Sequence, residues 1–284
     1  VTTSTELSNA DQITYWNEIA GAKWVANQAR LDRVFAPLTQ ALIAAAAPEA
    51  GDHILDVGCG CGETSLLSAV RIGPTGQILA VDISQPMLDH ARSRVDAAVA
   101  PITWLQADAM THGFAATADL MISRFGVMFF ADQLAAFANL RRALKPGGRF
   151  ALLCWQPRPD VVWMQWPLEQ VASVLPTPEP TTGQVGPFGL ADADATCRML
   201  RDAGFSQVKA SAVATTLTIG IGPDPVEDAM ALLGDAGPVA ALFRDGEPAE
   251  RAKGEAMLRA ALAGRIDAGA IRLDAACWLY EGTA

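Results

Sequence analysis

Between residues 53 and 155 the chain repeats one pattern: a short apolar run, a break, then a segment with helical spacing. The runs are HILDV, QILAVDI, ITWLQADA, DLMISRF and RFALLCW. Short apolar runs bounded by breaks suit strands buried on both faces, and strands that alternate with helices pair in parallel. In SQPMLDHARSRVDAAV, Ser84 stands where an N-cap belongs and Pro86 near the first helical position. DQLAAFANLRRAL stops at KPGG, a helix end and turn. The pattern predicts an α/β fold built on a doubly wound, mostly parallel sheet.

The flanking segments divide the rest. Residues 1–50 read as an N-terminal helical cap, with apolar residues three and four apart in NADQITYWNEIA and QARLDRVFAPLTQALIAAAA. Residues 51–155 are the core. Residues 156–190 lose the rhythm and are rich in proline and aromatic side chains, which suits a lid or insertion. Residues 191–284 hold two further alternating runs, SQVKASAVATTLTIG and AIRLDAACWLYEG, around an Ala-rich helical stretch from about 224 to 266. Seven strands are therefore expected, with N-terminal helices and a C-terminal helical lid.

Charge and cysteine usage exclude several classes. The formal net charge is −10, whereas nucleic-acid binding draws on clustered Lys and Arg. No nucleic-acid partner is expected. No apolar run is long enough to cross a bilayer, and VTTSTELSNAD lacks the regions of a signal peptide. The five cysteines are scattered through a chain too long to need staples, which reads as cytosolic thiols and a cytoplasmic protein. Cys59 and Cys61 have no second Cys/His pair at zinc spacing, so no metal is expected.

The first core strand runs straight into HILDVGCGCGETS, where Gly58, Gly60 and Gly62 lie two apart. Each glycine gives up packing and carries the largest backbone entropy cost, so the loop serves a close approach of the backbone. A doubly wound sheet takes its ligand at the carboxyl ends of its strands, near the positive end of the following helix. A pyrophosphate loop wants G-x-G-x-x-G, and its third glycine would fall on Glu63, which repels a phosphate. Asp56, the backbone N–H groups and the Thr64 hydroxyl suit the head of an amino acid instead. The next strand ends in Asp82, able to accept both hydroxyls of a ribose. The third ends in Asp108, placed for an exocyclic amine such as that of adenine.

Together ILDVGCGCGETS, ILAVDIS.PML, LQADAM and LRRALKPGGRF resemble the class I S-adenosylmethionine (SAM)-dependent methyltransferases. The likeness is greatest to the branch around the ubiquinone and menaquinone biosynthesis enzymes. It covers roughly residues 50 to 155, with an echo in YWNEIAGAKWV. The resemblance implies a Rossmann-like methyltransferase fold, SAM as cofactor and S-adenosylhomocysteine (SAH) as product. It implies that Asp56, Gly58 and Gly60 hold the methionine end, and Cys61 and Thr64 count with them among the expected cofactor-binding residues. It places Ile83 and Met87 beside the adenosine, Asp108, Ala109 and Met110 at the adenine, and Ser123, Arg124 and Phe125 at the sulfonium. In related enzymes an N-terminal helix closes over the cofactor, which makes Tyr15, Trp16 and Trp24 candidates for that cover.

Plainer readings stand beside these. Asp82 and Asp108 also suit N-caps, Trp16 and Trp24 a core stripe, and Arg124 a structural ion pair. Of the three histidines only His112 lies at the active edge, so His112 and Arg124 are the candidates for a catalytic group. Methyl transfer from a sulfonium needs alignment above all and a base only for some acceptors. Tyr15, Met128, Trp155, Trp163, Trp166 and Phe188 suggest a small, apolar or aromatic acceptor. The rival readings are a non-catalytic SAM-binding regulator or scaffold, an NAD-dependent oxidoreductase, which Glu63 argues against, and a methyltransferase of protein or RNA. The chain is expected to be a monomer or a homodimer.

Overall fold

The structure, a computed structural model, describes residues 9–95, 100–176 and 185–284. Parts of three sequence expectations lie outside the described residues: 1–8 of the cap, 96–99 at the end of the SQPMLDHARSRVDAAV helix, and 177–184 of the 156–190 insertion.

Five strands come from the core: β1 (His53–Val57), β2 (Gln77–Asp82), β3 (Ile102–Gln106), β4 (Ala118–Arg124) and β5 (Leu144–Trp155). The C-terminal part adds β6 (Ser206–Gly220), β7 (Ile266–Asp267) and β8 (Ala270–Thr283). They form one sheet in the order β3-β2-β1-β4-β5-β8-β6, with β7 paired to β8 at the side. The path holds the seven strands expected. The extra one is a two-residue hairpin arm, too short to leave a periodicity. β3 through β5 run parallel, while β8 is antiparallel to both β5 and β6.

The central strands are apolar on both faces because helices cover both. Ile54, Leu55, Ile78, Leu120, Met121 and Ile122 are all buried. One covering helix, Gln28–Ala46, faces the core with Leu31, Val34, Phe35, Leu38 and Leu42 and ends where Ala47 turns left-handed at φ 43°. The Ala-rich stretch forms three helices, Pro225–Asp235, Ala240–Asp245 and Pro248–Ala263. Arg30 and Arg33 of the long helix both pair with Asp228 of the first of these, at 2.8 and 2.7 Å, and tie the two ends of the chain together.

The strand order reverses between β1 and β4, so the loops that leave them part to opposite sides. A crevice opens there. Two glycines let these loops touch: a Cβ on Gly58 would lie 2.6 Å from Cα of Gly126. Ser123 adds a stitch, donating its hydroxyl to the Val57 carbonyl at 2.7 Å and accepting from the Gly126 N–H at 3.2 Å.

Candidate active site

A cavity of about 580 Å³ occupies this crevice at the carboxyl ends of β1 to β5. One end is polar and strongly acidic, lined by Asp32, Glu63, Asp82 and Asp108. The other is aromatic.

The polar end rests on the glycine loop. Gly58, Gly60 and Gly62 all have positive φ, a conformation L side chains rarely adopt. The helix Glu63–Ile72 starts directly behind them. Asp56 is fully buried beneath the loop, and its Oδ2 accepts from the Thr64 and Ser65 hydroxyls, each at 2.6 Å. Its Oδ1 has no hydrogen-bond partner. Burial raises the Asp56 carboxyl above its ordinary range, against these hydroxyl bonds. Asp56 does not line the cavity, and Thr64, which does, spends its hydroxyl on Asp56.

Asp82 binds the loop to its own turn. Its Oδ2 accepts from the Gly60 N–H and its Oδ1 from the Ser84 N–H, both at 2.8 Å. Burial nevertheless pushes its carboxyl up to about 6. Asp108 Oδ1 accepts from the Met110 N–H at 2.9 Å and from the Asn9 side chain at 2.8 Å. Both bonds fall on Oδ1, and among the described residues no hydrogen bond reaches Oδ2.

The N-terminal segment closes over this end. Ser84, expected to cap its helix, instead donates its hydroxyl to the Trp16 carbonyl at 2.9 Å. Asn17 donates to the Ile83 carbonyl and accepts from the Gln85 N–H, at 2.9 and 3.0 Å. The strap includes a π-helical turn, Tyr15–Ala20, a form that recurs at functional sites. It passes so close to β2 that a Cβ on Gly21 would lie 2.7 Å from the Ser84 hydroxyl. Trp16 packs edge-on against Tyr15, Trp24 and Phe129.

At the far end, Phe35 is the hub of an aromatic wall. Its ring centroid lies 5.7, 6.0 and 5.5 Å from those of Phe125, Trp155 and Trp163. Phe125 and Trp155 stack at 4.0 Å and 10°. Phe125 adopts φ 65°, and a bulky side chain in that conformation is strained.

Most of the residues expected at the site line this one cavity, from Tyr15, Trp16 and Trp24 to Trp155, Trp163 and Phe188. Gly58, Gly60, Cys61, Asp82, Ile83, Met87, Asp108, Ala109, Arg124, Phe125 and Met128 are there as well. Five residues do not line it. Asp56 and Ser123 lie beneath the loops they hold, and Met110 contributes its N–H to Asp108. His112 packs its ring on Phe114 at 4.8 Å, away from the cavity. Trp166 faces away and carries Arg265 over its ring at 4.3 Å, because the helix Val162–Val171 turns only one aromatic face inward. Cys59 and Cys61 are free thiols; burial pushes Cys61 up to about 12, so neither is poised as a thiolate.

Sequence reasoning passed over Asp32, Phe35, Asn9 and Arg94. Arg94 bridges two cavity carboxylates, Asp32 at 2.8 Å and Glu63 at 2.7 Å, and donates to the Cys61 carbonyl at 2.6 Å. Asp32 and Phe35 sit on a helix whose apolar stripe reads as plain core. Only their offset of three, a carboxylate beside an aromatic on one face, carried a signal.

Residues 54–148 match the family model described as a methyltransferase domain. The chain is 40% identical over 106 residues to demethylmenaquinone methyltransferase of Symbiobacterium thermophilum, covering 36% of this chain and 42% of that protein. It is 30% identical over 189 residues to nocamycin O-methyltransferase of Saccharothrix syringae, covering 62% and 66%. Among the first curated relatives, the match spans roughly half of their length, from 42% to 66%. In fold, it is similar to phosphoethanolamine N-methyltransferase 2 of Haemonchus contortus, solved with SAM, at TM-score 0.55 and 16% identity over 98% of this chain and 60% of that one.

Proposed function

We propose that this chain, whose residues 54–148 belong to the methyltransferase-domain family of SAM-dependent enzymes, methylates a small, largely aromatic molecule in the cavity described. The observation that carries this reading is one continuous cavity with a SAM-suited acidic end and an aromatic end.

The residues at the acidic end fit SAM. The cofactor is a cation, and the carboxylates of Asp32, Glu63, Asp82 and Asp108 line its place. Asp82 is the partner for ribose hydroxyls and the free oxygen of Asp108 for the adenine amine. The loop N–H groups suit the carboxylate, and Arg94 offsets the charge of Glu63 behind them. The unpartnered Asp56 oxygen beneath the loop supplies negative charge toward the ammonium. SAM, when bound, supplies an electrophilic methyl on a sulfonium.

The chain's own contribution is alignment. Phe125 and Arg124 line the cavity on the loop whose Gly126 touches the glycine loop. The Phe35 wall holds the acceptor's ring and excludes water, and the strap from Asn9 to Trp24 closes the cofactor's side. Well-aligned intramolecular reactions gain on the order of 7–11 kcal/mol in this way. No base is required if the acceptor atom arrives unprotonated.

The test is SAH formation during incubation with SAM and a panel of aromatic acids, phenols and amines. Turnover with any member, lost on Asp82→Ala, supports the reading. SAM binding without turnover on any member favours the regulatory alternative.

A further inference from the structure

Among the described residues, Arg124 forms no close ion pair, although the carboxylates of Asp32, Glu63 and Asp56 act on it from a distance. It leaves the end of β4, lines the cavity, and donates to the Thr39 hydroxyl. Its guanidinium carbon lies 5.8 Å from the centroid of the Phe35 ring. Of these carboxylates, Asp32 and Glu63 are held by Arg94, and Asp56 lies beneath the glycine loop, bonded through Oδ2 to Thr64 and Ser65. A guanidinium offers five N–H donors in a planar fork, and a cation taken out of water without an anion is costly.

Trp163 presents a second unmet donor on the same wall. It is 3% exposed, packs on Phe35 and lines the cavity, and its indole N–H has no hydrogen-bond partner. Buried donors are nearly always paired, and an unpaired one costs about 1–3 kcal/mol. Both groups flank Phe35 on the cavity wall, and Arg124 belongs to the loop that meets the glycine loop at Gly126, which defines a junction between wall and loop.

We propose that this junction is an oxyanion seat: Arg124 and the Trp163 N–H together hold the ionised oxygen of an aromatic carboxylic acid or phenol, which is the atom methylated. The inference rests on the methyltransferase reading of the cavity and names the acceptor class. The guanidinium keeps the acceptor ionised, which removes the need for a base. The acceptor oxygen forms its bond to the methyl carbon as the carbon–sulfur bond breaks, and that bonding pair stays on sulfur. Anion and sulfonium become a neutral ester or ether and a neutral thioether, with no proton, oxidant or third reactant. The cofactor's own carboxylate has another place in this reading, at the N–H groups of the glycine loop.

The experiment titrates the full chain, saturated with SAH, with naphthoate and with its neutral isostere acetylnaphthalene. A charge-assisted bond to a buried guanidinium predicts that naphthoate binds at least about tenfold more tightly. That preference disappears in Arg124→Met, persists in part in Arg124→Lys, and shrinks in Trp163→Phe. SAH saturation of each variant reports that it is folded. Equal binding of the two probes by the unaltered chain overturns the proposal and needs no variant. So does an Arg124→Met variant that keeps the preference but loses SAH affinity about tenfold, since the guanidinium would then belong to the cofactor's carboxylate. Failure of the unaltered chain to bind SAH at all would sink the methyltransferase reading itself, a separate result.

Discussion

Gly58 and Gly126 meet backbone to backbone, so closely that a Cβ on either would lie within 2.7 Å of the other's Cα. This contact holds the cofactor loop against the loop that carries Arg124 and Phe125. Gly126 has an ordinary φ of −80°, so Gly126→Ala introduces a clash without a dihedral penalty. Overpacking of this kind costs about 1–3 kcal/mol. We expect a lowered melting temperature and weaker SAH binding together. Gly58→Ala, at φ +69°, adds left-handed strain of about 1–2 kcal/mol and is the more severe change. Thermal melts with and without SAH measure both.

Asp82 makes cofactor affinity depend on pH. Burial raises its carboxyl to about 6 in the unliganded protein, and ribose hydroxyls would favour the ionised form. Binding then releases a proton. Below that value the carboxyl must first lose its proton, so SAH affinity falls as pH drops, by about tenfold at pH 5 relative to neutrality. For folding the sign is opposite. A carboxyl raised above its unfolded value of 3.8 holds its proton more tightly when folded, so this group's contribution to stability falls as pH rises from about 4 to 6 and stays lost above. Calorimetry across that range, in buffers of different ionisation enthalpy, reads both the affinity and the proton released.

Asn17 fastens the N-terminal strap to the end of β2 with two hydrogen bonds, to the Ile83 carbonyl and from the Gln85 N–H. Asn17→Ala removes both and leaves the strap free to open. SAH dissociation should accelerate by roughly tenfold, which corresponds to about 1.4 kcal/mol. Hydrogen exchange in residues 9–26 should rise in the same variant while β1 and β4 stay protected.

Asp228 is a contrasting case, because it acts far from the cofactor end. It is partly exposed and holds Arg30 and Arg33, whose bonds lower its carboxyl despite some burial. Asp228→Ala should cost on the order of 1 kcal/mol, given the solvent that screens such pairs. That contribution is present above the unfolded pKa and fades as pH falls through the folded one. Denaturant melts of the variant should shift while SAH affinity holds.

The sequence exposes much of this architecture because strand ends carry their chemistry in short local signatures. Asp82 closes an apolar run and Gly58 follows one, and both lie at the crevice. Side chains on helices are harder to read. Phe35 is the hub of the aromatic wall, yet its spacing with Leu31 and Leu38 is that of ordinary core. Trp163 and Trp166 look alike in sequence; only the rotation of their helix decides that one faces the cavity and the other Arg265. Ser84 was legible as a cap by residue type and does stand at the N-cap, but its hydroxyl is turned to donate to the Trp16 carbonyl and accepts no capping bond. His112 stood at the right edge, and its ring found Phe114. Long-range partners of this kind have no local pattern to reveal them.

One cavity spans the ends of β1, β2 and β3, and the proposed function has it take SAM through Asp82. The most direct measurement is calorimetric titration of SAM, SAH and NADH into the full chain and into Asp82→Ala. We expect saturable binding of SAM and SAH, none of NADH, and a loss of at least about tenfold in the variant, as two charge-assisted bonds would give. Binding of NADH alone, or SAM binding indifferent to Asp82, would contradict the proposed function.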